Sequence, residues 1–235
     1  RFGGTFAGIF LFIFVSLNYQ SFWQIASASL DPVQVTATLE EPAQQLEEKL
    51  TAAPKVPGIE SGAKGAGSVF SFVPPVGPPE NRIIIPRLNL NVPIVLPSNE
   101  PLYAQDWARL EEEIQTSLQD GVVHYPGTAR PGQAGNFFLT GHSSYYPWAP
   151  GKFKSVFARL ADLDVGDEYW IFYGGDKHRY VVQQKFEVKP SDVSVLDQPG
   201  DRRMSTLMTC TPVGTSLRRL IVQSASVRTS AGARW

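Results

Sequence analysis

The chain has 235 residues, 43% of them hydrophobic and 18% charged, with a formal net charge of −1. A near-neutral chain without a Lys/Arg run carries no electrostatic footprint for nucleic acid. A single cysteine, Cys210, excludes an intrachain disulfide, and the three histidines form no Cys/His cluster with zinc-ligand spacing.

Residues 2–30 contain no charged side chain. The run from Phe6 to Leu17 is almost wholly apolar, and Phe2 to about Trp23 reaches the roughly 20 residues a spanning helix needs. Phe22 and Trp23 suit an aromatic belt. Residues 1–26 are therefore read as a transmembrane helix, a single-pass anchor in the cell membrane. A competing reading takes Ala26-Ser27-Ala28 as a signal-peptidase site behind an apolar segment. Either way the remainder is expected to be extracytoplasmic.

Residues 27–80 are rich in Pro, Ala, Gly and Glu and lack the apolar periodicity of a core. They read as a flexible spacer, in which Pro42 to Leu50 could form a short acidic helix. The globular domain spans 81–228, about 150 residues, enough for one sizeable core. Residues 229–235 form a polar C-terminal tail, with no second anchor expected there.

Within the domain the apolar segments are short and strand-like. Arg82 to Pro86 opens the series, followed by Val92 to Val95 and Asn136 to Thr140. Glu168 to Tyr173 is next, and Tyr180 to Val188 alternates with period two. Gly174-Gly175-Asp176 between them reads as a hairpin turn. Thr206 to Thr209 and Leu220 to Val222 complete the set. Helical spacing of Trp107, Leu110, Ile114 and Leu118, stopped by Gly121, predicts one helix. Phe153, Val156, Phe157 and Leu160 predict a shorter one. Many short strands and few helices point to a mainly β fold, a closed or nearly closed antiparallel barrel.

Chemistry that needs a thiol or an imidazole has few candidates. Cys210 follows Thr206-Leu207-Met208-Thr209 and precedes Thr211-Pro212, so it stands where a strand ends. Free cysteines are commonly buried and structural, yet an unpaired thiol in an exported protein is a liability unless used. His142 follows the run ending at Thr140-Gly141 and also sits at a strand end. His124 precedes a turn, and His178 lies in a charged hairpin expected to be solvated. A thiol is mostly protonated at neutral pH, its ordinary pKa being about 8.5. A histidine nearby can exchange that proton, and acyl transfer then needs a positive group at the oxyanion. Arg218 and Arg219 could each supply it, and the residues alone do not choose between them.

These segments, in this order, resemble the sortase family. Thr206 to Cys210 is similar to its T-L-x-T-C signature, and Arg219-Leu220-Ile221-Val222 to the stretch with its essential arginine. Gly141-His142 resembles its histidine segment, Arg82 to Val95 its first strand, and Val123 to Ala129 the segment before the histidine strand. The resemblance implies a closed eight-stranded β-barrel with one or two short helices, with Cys210 as nucleophile, His142 as acid/base and Arg219 as oxyanion stabiliser. It implies a membrane-anchored cysteine transpeptidase that cleaves a C-terminal LPxTG-like sorting motif through a thioester. An amine acceptor, a peptidoglycan precursor or a pilin, would then take the protein. Neither a cofactor nor a metal is implied. The chain departs from many members after Gly-His, where Ser143-Ser144-Tyr145-Tyr146-Pro147-Trp148 could shape the groove, act as a lid or pack on the barrel. Two other classes compete. A papain-like or cell-wall cysteine hydrolase usually places its cysteine before its histidine, at the start of a helix. A non-enzymatic exported β-barrel, an adhesin or scaffold, would not require Cys, His and Arg to converge.

Overall fold

The computed structural model describes residues 2–30 and 80–227. The 31–79 part of the spacer, its short acidic helix and the C-terminal tail lie outside the described residues. The described part contains helices α1 (Phe2–Leu17) and α2 (Tyr19–Leu30), then strands β1 (Arg82–Ile85) and β2 (Leu90–Val95). Helices α3 (Glu100–Tyr103) and α4 (Trp107–Ser117) follow, then β3 (Val122–His124), β4 (Gly135–Thr140) and β5 (Glu168–Tyr173). Strands β6 (Asp176–Val188), β7 (Arg203–Thr211) and β8 (Arg218–Val227) end the domain.

The eight strands close into a barrel in the order β1-β2-β3-β4-β7-β8-β6-β5. Closure removes every exposed edge and its unpaired N–H and C=O groups. Alternation along the strands fills the interior. Ile83 and Ile85 of β1, Phe137 and Leu139 of β4, Tyr169 and Ile171 of β5 and Leu207 of β7 share one core. Each fully buried aliphatic or phenyl side chain there stabilises the fold by about 1.5–3 kcal/mol relative to exposure. Strand β4 is buried along its whole length. Its outward Phe138 is covered by Val195 and Ile221, which explains an apolar run without strict alternation.

Three expectations change. The barrel is mixed rather than antiparallel, because β2–β3 and β4–β7 are parallel pairs. Parallel neighbours need a long crossover, and the β2–β3 crossover carries α3 and α4. The predicted helix over 153–160 is instead a chain of turns ending in a 3-10 turn, Leu160–Asp162. Its amides bond three residues back, as Ala158 to Ser155 and Leu160 to Phe157, and Phe157 N–H leaves the local pattern to reach the His142 carbonyl at 2.9 Å. The helix over 107–117 stands as expected, capped by Asp106, whose side chain accepts from Arg109 N–H at 3.1 Å. Its Leu110 and Ile114, with Leu118 beyond them, bury against Val123.

The third change is at the N-terminus. No single helix among the described residues is long and apolar enough to cross a membrane. The uncharged stretch instead forms two helices bent by 75° around Asn18, which together have the length and composition of a span. At the break the Asn18 side-chain amide donates to the Phe14 carbonyl at 2.9 Å, sharing that acceptor with the Asn18 backbone N–H at 3.2 Å.

Candidate active site

Cys210 is the last but one residue of β7, since Pro212 has no N–H to continue the ladder. Across the β7–β8 pair, Cys210 stands directly opposite Arg219, and Thr211 opposite Arg218. Opposed residues share a face of the sheet, with Cβ atoms roughly 4.5–5.5 Å apart. The ladder therefore separates two arginines that the sequence left equivalent. Arg219 lines the groove with Cys210, its Nη1 donating to the carbonyls of Ser216 and Arg218 at 3.2 and 3.3 Å. Arg218 points elsewhere and lies 3.9 Å from Glu187.

His142 arrives on the other side of β7. Strand β4 runs parallel to β7 in a register that pairs Thr140 with Met208. The same spacing carried two residues on brings His142 alongside Cys210. Two bonds hold that extension: Gly141 N–H donates to the Met208 carbonyl at 3.1 Å, and Thr209 Oγ1 donates to the Gly141 carbonyl at 2.7 Å. Glycine is required at 141 by space. A Cβ there would stand 2.7 Å from the Phe157 ring and 2.9 Å from Val156. Thr209→Val should keep the shape but leave the buried Gly141 carbonyl short of a donor, at about 1–3 kcal/mol of stability. Thermal unfolding reads that loss. Peptide turnover should fall more than the unfolded fraction explains, because the same bond sets the His142 backbone.

The three residues meet in a groove of about 560 Å³. Its floor is the β4–β7–β8 strand ends, and α4 contributes Glu111, Ile114 and Gln115 to one wall. Ser144 Oγ ties the His142 loop to the loop after Cys210 by accepting from Gly214 N–H at 3.0 Å. The elbow between α1 and α2 forms part of the rim through Phe14, Leu17 and Asn18. It approaches so closely that a Cβ on Gly214 would lie 2.8 Å from the Phe14 ring. Ser21, buried on α2, donates to the Ser143 carbonyl at 2.8 Å. A larger cleft of about 1010 Å³ lies beside the β1–β2 turn, but neither cysteine nor histidine lines it.

Burial lowers the His142 pKa to about 4, so its imidazole is neutral at pH 7 and can take a proton from the thiol. His124 is also lowered to about 4 by burial, but it serves the core. Its ring packs 4.6 Å from Phe137 and 5.9 Å from Tyr173, and Nε2 bonds the Ala129 carbonyl at 3.1 Å. It does not line the groove. His178, expected to be solvated, is half-buried on β6 beside Gly132, and burial lowers its pKa too.

The sign of the resulting pH dependence is definite. Folded-state pKa values near 4 lie below the ordinary 6.5, so the unfolded chain binds protons first as pH falls. Stability is complete above pH 6.5 and is lost between 6.5 and about 4, by up to about 3 kcal/mol for nearly buried His124. Solvent-accessible His142 contributes less. Urea unfolding at pH 7, 5 and 4 measures this, and His124→Gln should flatten the dependence.

Sequence reasoning did not place α4 or the α1–α2 elbow at the groove, since both reach it through tertiary contacts with no local signature. Thr209 was visible only as part of a motif, and its bond to Gly141 emerges from the strand pairing. Tyr145 lines the groove and stacks on His142 with ring centroids 4.5 Å apart.

A lone thiol with a neutral imidazole on one neighbouring strand and a guanidinium on the other defines a cysteine acyl-transfer geometry on a closed barrel. A papain-like arrangement does not fit it, because Cys210 ends a strand rather than opening a helix. The model of the Sortase domain matches residues 83–227, and the chain belongs to the sortase family, whose members are cysteine transpeptidases. It is 28% identical over 191 residues to sortase D of Bacillus subtilis (strain 168), covering 78% of this chain and 83% of that protein. Crystalline sortase C1 of Streptococcus agalactiae is similar at 28% identity and a TM-score of 0.52, over 64% of this chain and 68% of that one. Sortase C-1 of Actinomyces oris gives 29% identity and a TM-score of 0.51, over 67% and 77% of the two chains.

Proposed function

We propose that this transpeptidase acts at the outer face of the cell membrane, cleaving a C-terminal LPxTG-like sorting motif and transferring the protein to an amine. The observation that carries the reading is the ladder register that puts Cys210 opposite Arg219 with His142 alongside. In the first half-reaction His142 takes the thiol proton and the sulfur attacks the Thr carbonyl carbon of the motif. The carbonyl electron pair moves to oxygen, where the Arg219 guanidinium donates to it. The C–N bond then breaks, His142 returns its proton to the leaving glycine amine, and a thioester remains on Cys210. In the second half-reaction an incoming amine attacks the thioester, gives its proton to His142 and expels the thiolate. A cell-wall precursor or a pilin lysine is the acceptor class. Water in the same role would make the chain a thiol protease.

Anchoring in the membrane rests on the uncharged α1–α2 pair, whose combined length and composition suit a broken span. Incubating the full chain in detergent with sorting peptides and a panel of amines tests the whole reading. Ligated peptide–amine product is expected. Hydrolysis alone at every amine concentration would replace the transferase assignment with a hydrolase one.

A further inference from the structure

A catalytic histidine is ordinarily oriented by a third group that accepts or donates at its second ring nitrogen. Among the described residues, the His142 side chain has no such hydrogen-bond partner. What touches it is Tyr145, whose ring lies over the imidazole at a centroid distance of 4.5 Å and an interplanar angle of 20°. We propose that Tyr145 is the positioning residue for His142, holding the ring by its face so that both nitrogens stay free for proton transfer. This rests on the proposed acid/base role of His142.

The geometry favours a face contact over a hydrogen bond for this chemistry. Both imidazole nitrogens lie in the ring plane, so a stacked neighbour fixes the plane and occupies neither nitrogen. A single ring nitrogen can take the proton from one group and return it to another, so the stack has only to keep the ring plane in place. The tyrosine is itself held. Ser144, its neighbour, accepts from Gly214 N–H at 3.0 Å. On the other side the Pro147 carbonyl accepts from Lys154 Nζ at 2.6 Å, and Ala149 N–H donates to Tyr146 at 3.0 Å. Tyr146 packs behind Tyr145 at 5.5 Å, and Trp148 stacks on Tyr146 at 5.2 Å. Tyr145 is 38% exposed, more than a side chain placed there for core packing would be. Among the described residues the Tyr145 hydroxyl makes no hydrogen bond to a groove atom, so the ring rather than the hydroxyl carries the effect.

The test compares Tyr145→Phe, Tyr145→Leu and Tyr145→Ala in the full chain, reading kcat and KM for a sorting peptide with His142→Ala as the control. Tyr145→Phe should stay within about threefold of wild type in kcat. Tyr145→Leu and Tyr145→Ala should lose about tenfold in kcat, the scale of one aromatic pair, with KM and melting temperature little changed. A wild-type kcat for Tyr145→Ala, beside an inactive His142→Ala, would overturn this proposal and leave the proposed function standing. A rise in KM at constant kcat would also overturn it, making Tyr145 a substrate contact. Equal damage from Tyr145→Phe would do so too, by assigning the role to the hydroxyl. An active His142→Ala would remove the acid/base reading and this inference together.

Discussion

Arg219→Ala is expected to lower kcat/KM for a sorting peptide by about 10²–10³-fold, the scale of losing one oxyanion donor. Arg218→Ala should stay within about fivefold, because its partner Glu187 offers only an exposed ion pair. The prediction follows from one ladder. Cys210 and Arg219 are direct partners, so they project to the same face at one rung. Arg218 is the neighbouring rung and projects to the other face. The loss at Arg219 should fall mainly in kcat, since the charge it meets exists only in the tetrahedral state. Arg219→Lys should recover part of it, keeping the charge without the planar fork. Equal losses at both positions would dissolve the distinction.

The second large effect is at histidine. His142→Ala should reduce turnover by about 10²–10⁴-fold, the usual contribution of a positioned acid/base. His124→Ala should instead unfold the barrel more easily, by roughly 2–4 kcal/mol, because it empties a buried aromatic contact and orphans the Ala129 carbonyl. Folded His124→Ala should turn over normally. Paired melting curves and steady-state rates separate the two outcomes, and an inactive but stable His124→Ala would transfer the acid/base role. For the wild type, the acid limb of kcat/KM should lie well below pH 6.5, because burial holds His142 neutral down to about pH 4.

How far the molecule was legible differs element by element. Strand β5 is readable to the residue, since the short apolar run Glu168–Tyr173 ends at a two-glycine turn. Both glycines adopt positive φ, 60° and 89°, which the tight hairpin demands. Strand β3 was missed, because Val122–His124 is three buried residues and no periodicity can show in so short a run. Strand direction was also hidden. Alternation reports which side chains face inward, not whether the neighbouring chain runs the same way, so the two parallel pairs went unseen. The segment over 153–160 imitates a helix because Phe157 and Leu160 both face the core, while its amides bond three residues back rather than four and Phe157 N–H leaves for the His142 carbonyl. At the N-terminus hydropathy reads through Asn18, although the two helices meet there at a 75° bend.

At the site, Cys210 was legible as the only thiol at a strand end. His142 was separable from His124 by its strand-end position and by the resemblance, and the groove lining and the core contacts of the His124 ring give the physical reason. Selecting Arg219 needed either resemblance or the register. The role of Tyr145 was open between groove, lid and packing, and its stacking on His142 is a contact no spacing rule predicts.

The central claim is that Cys210 carries the acyl group, and intact-protein mass spectrometry tests it most directly. The full chain mixed with a sorting peptide, without amine, should gain the mass of the peptide's N-terminal fragment on the peptide containing Cys210. Adding an amine should discharge that adduct into ligated product, and Cys210→Ala should form neither. Peptide cleavage by Cys210→Ala at the wild-type rate would contradict the account.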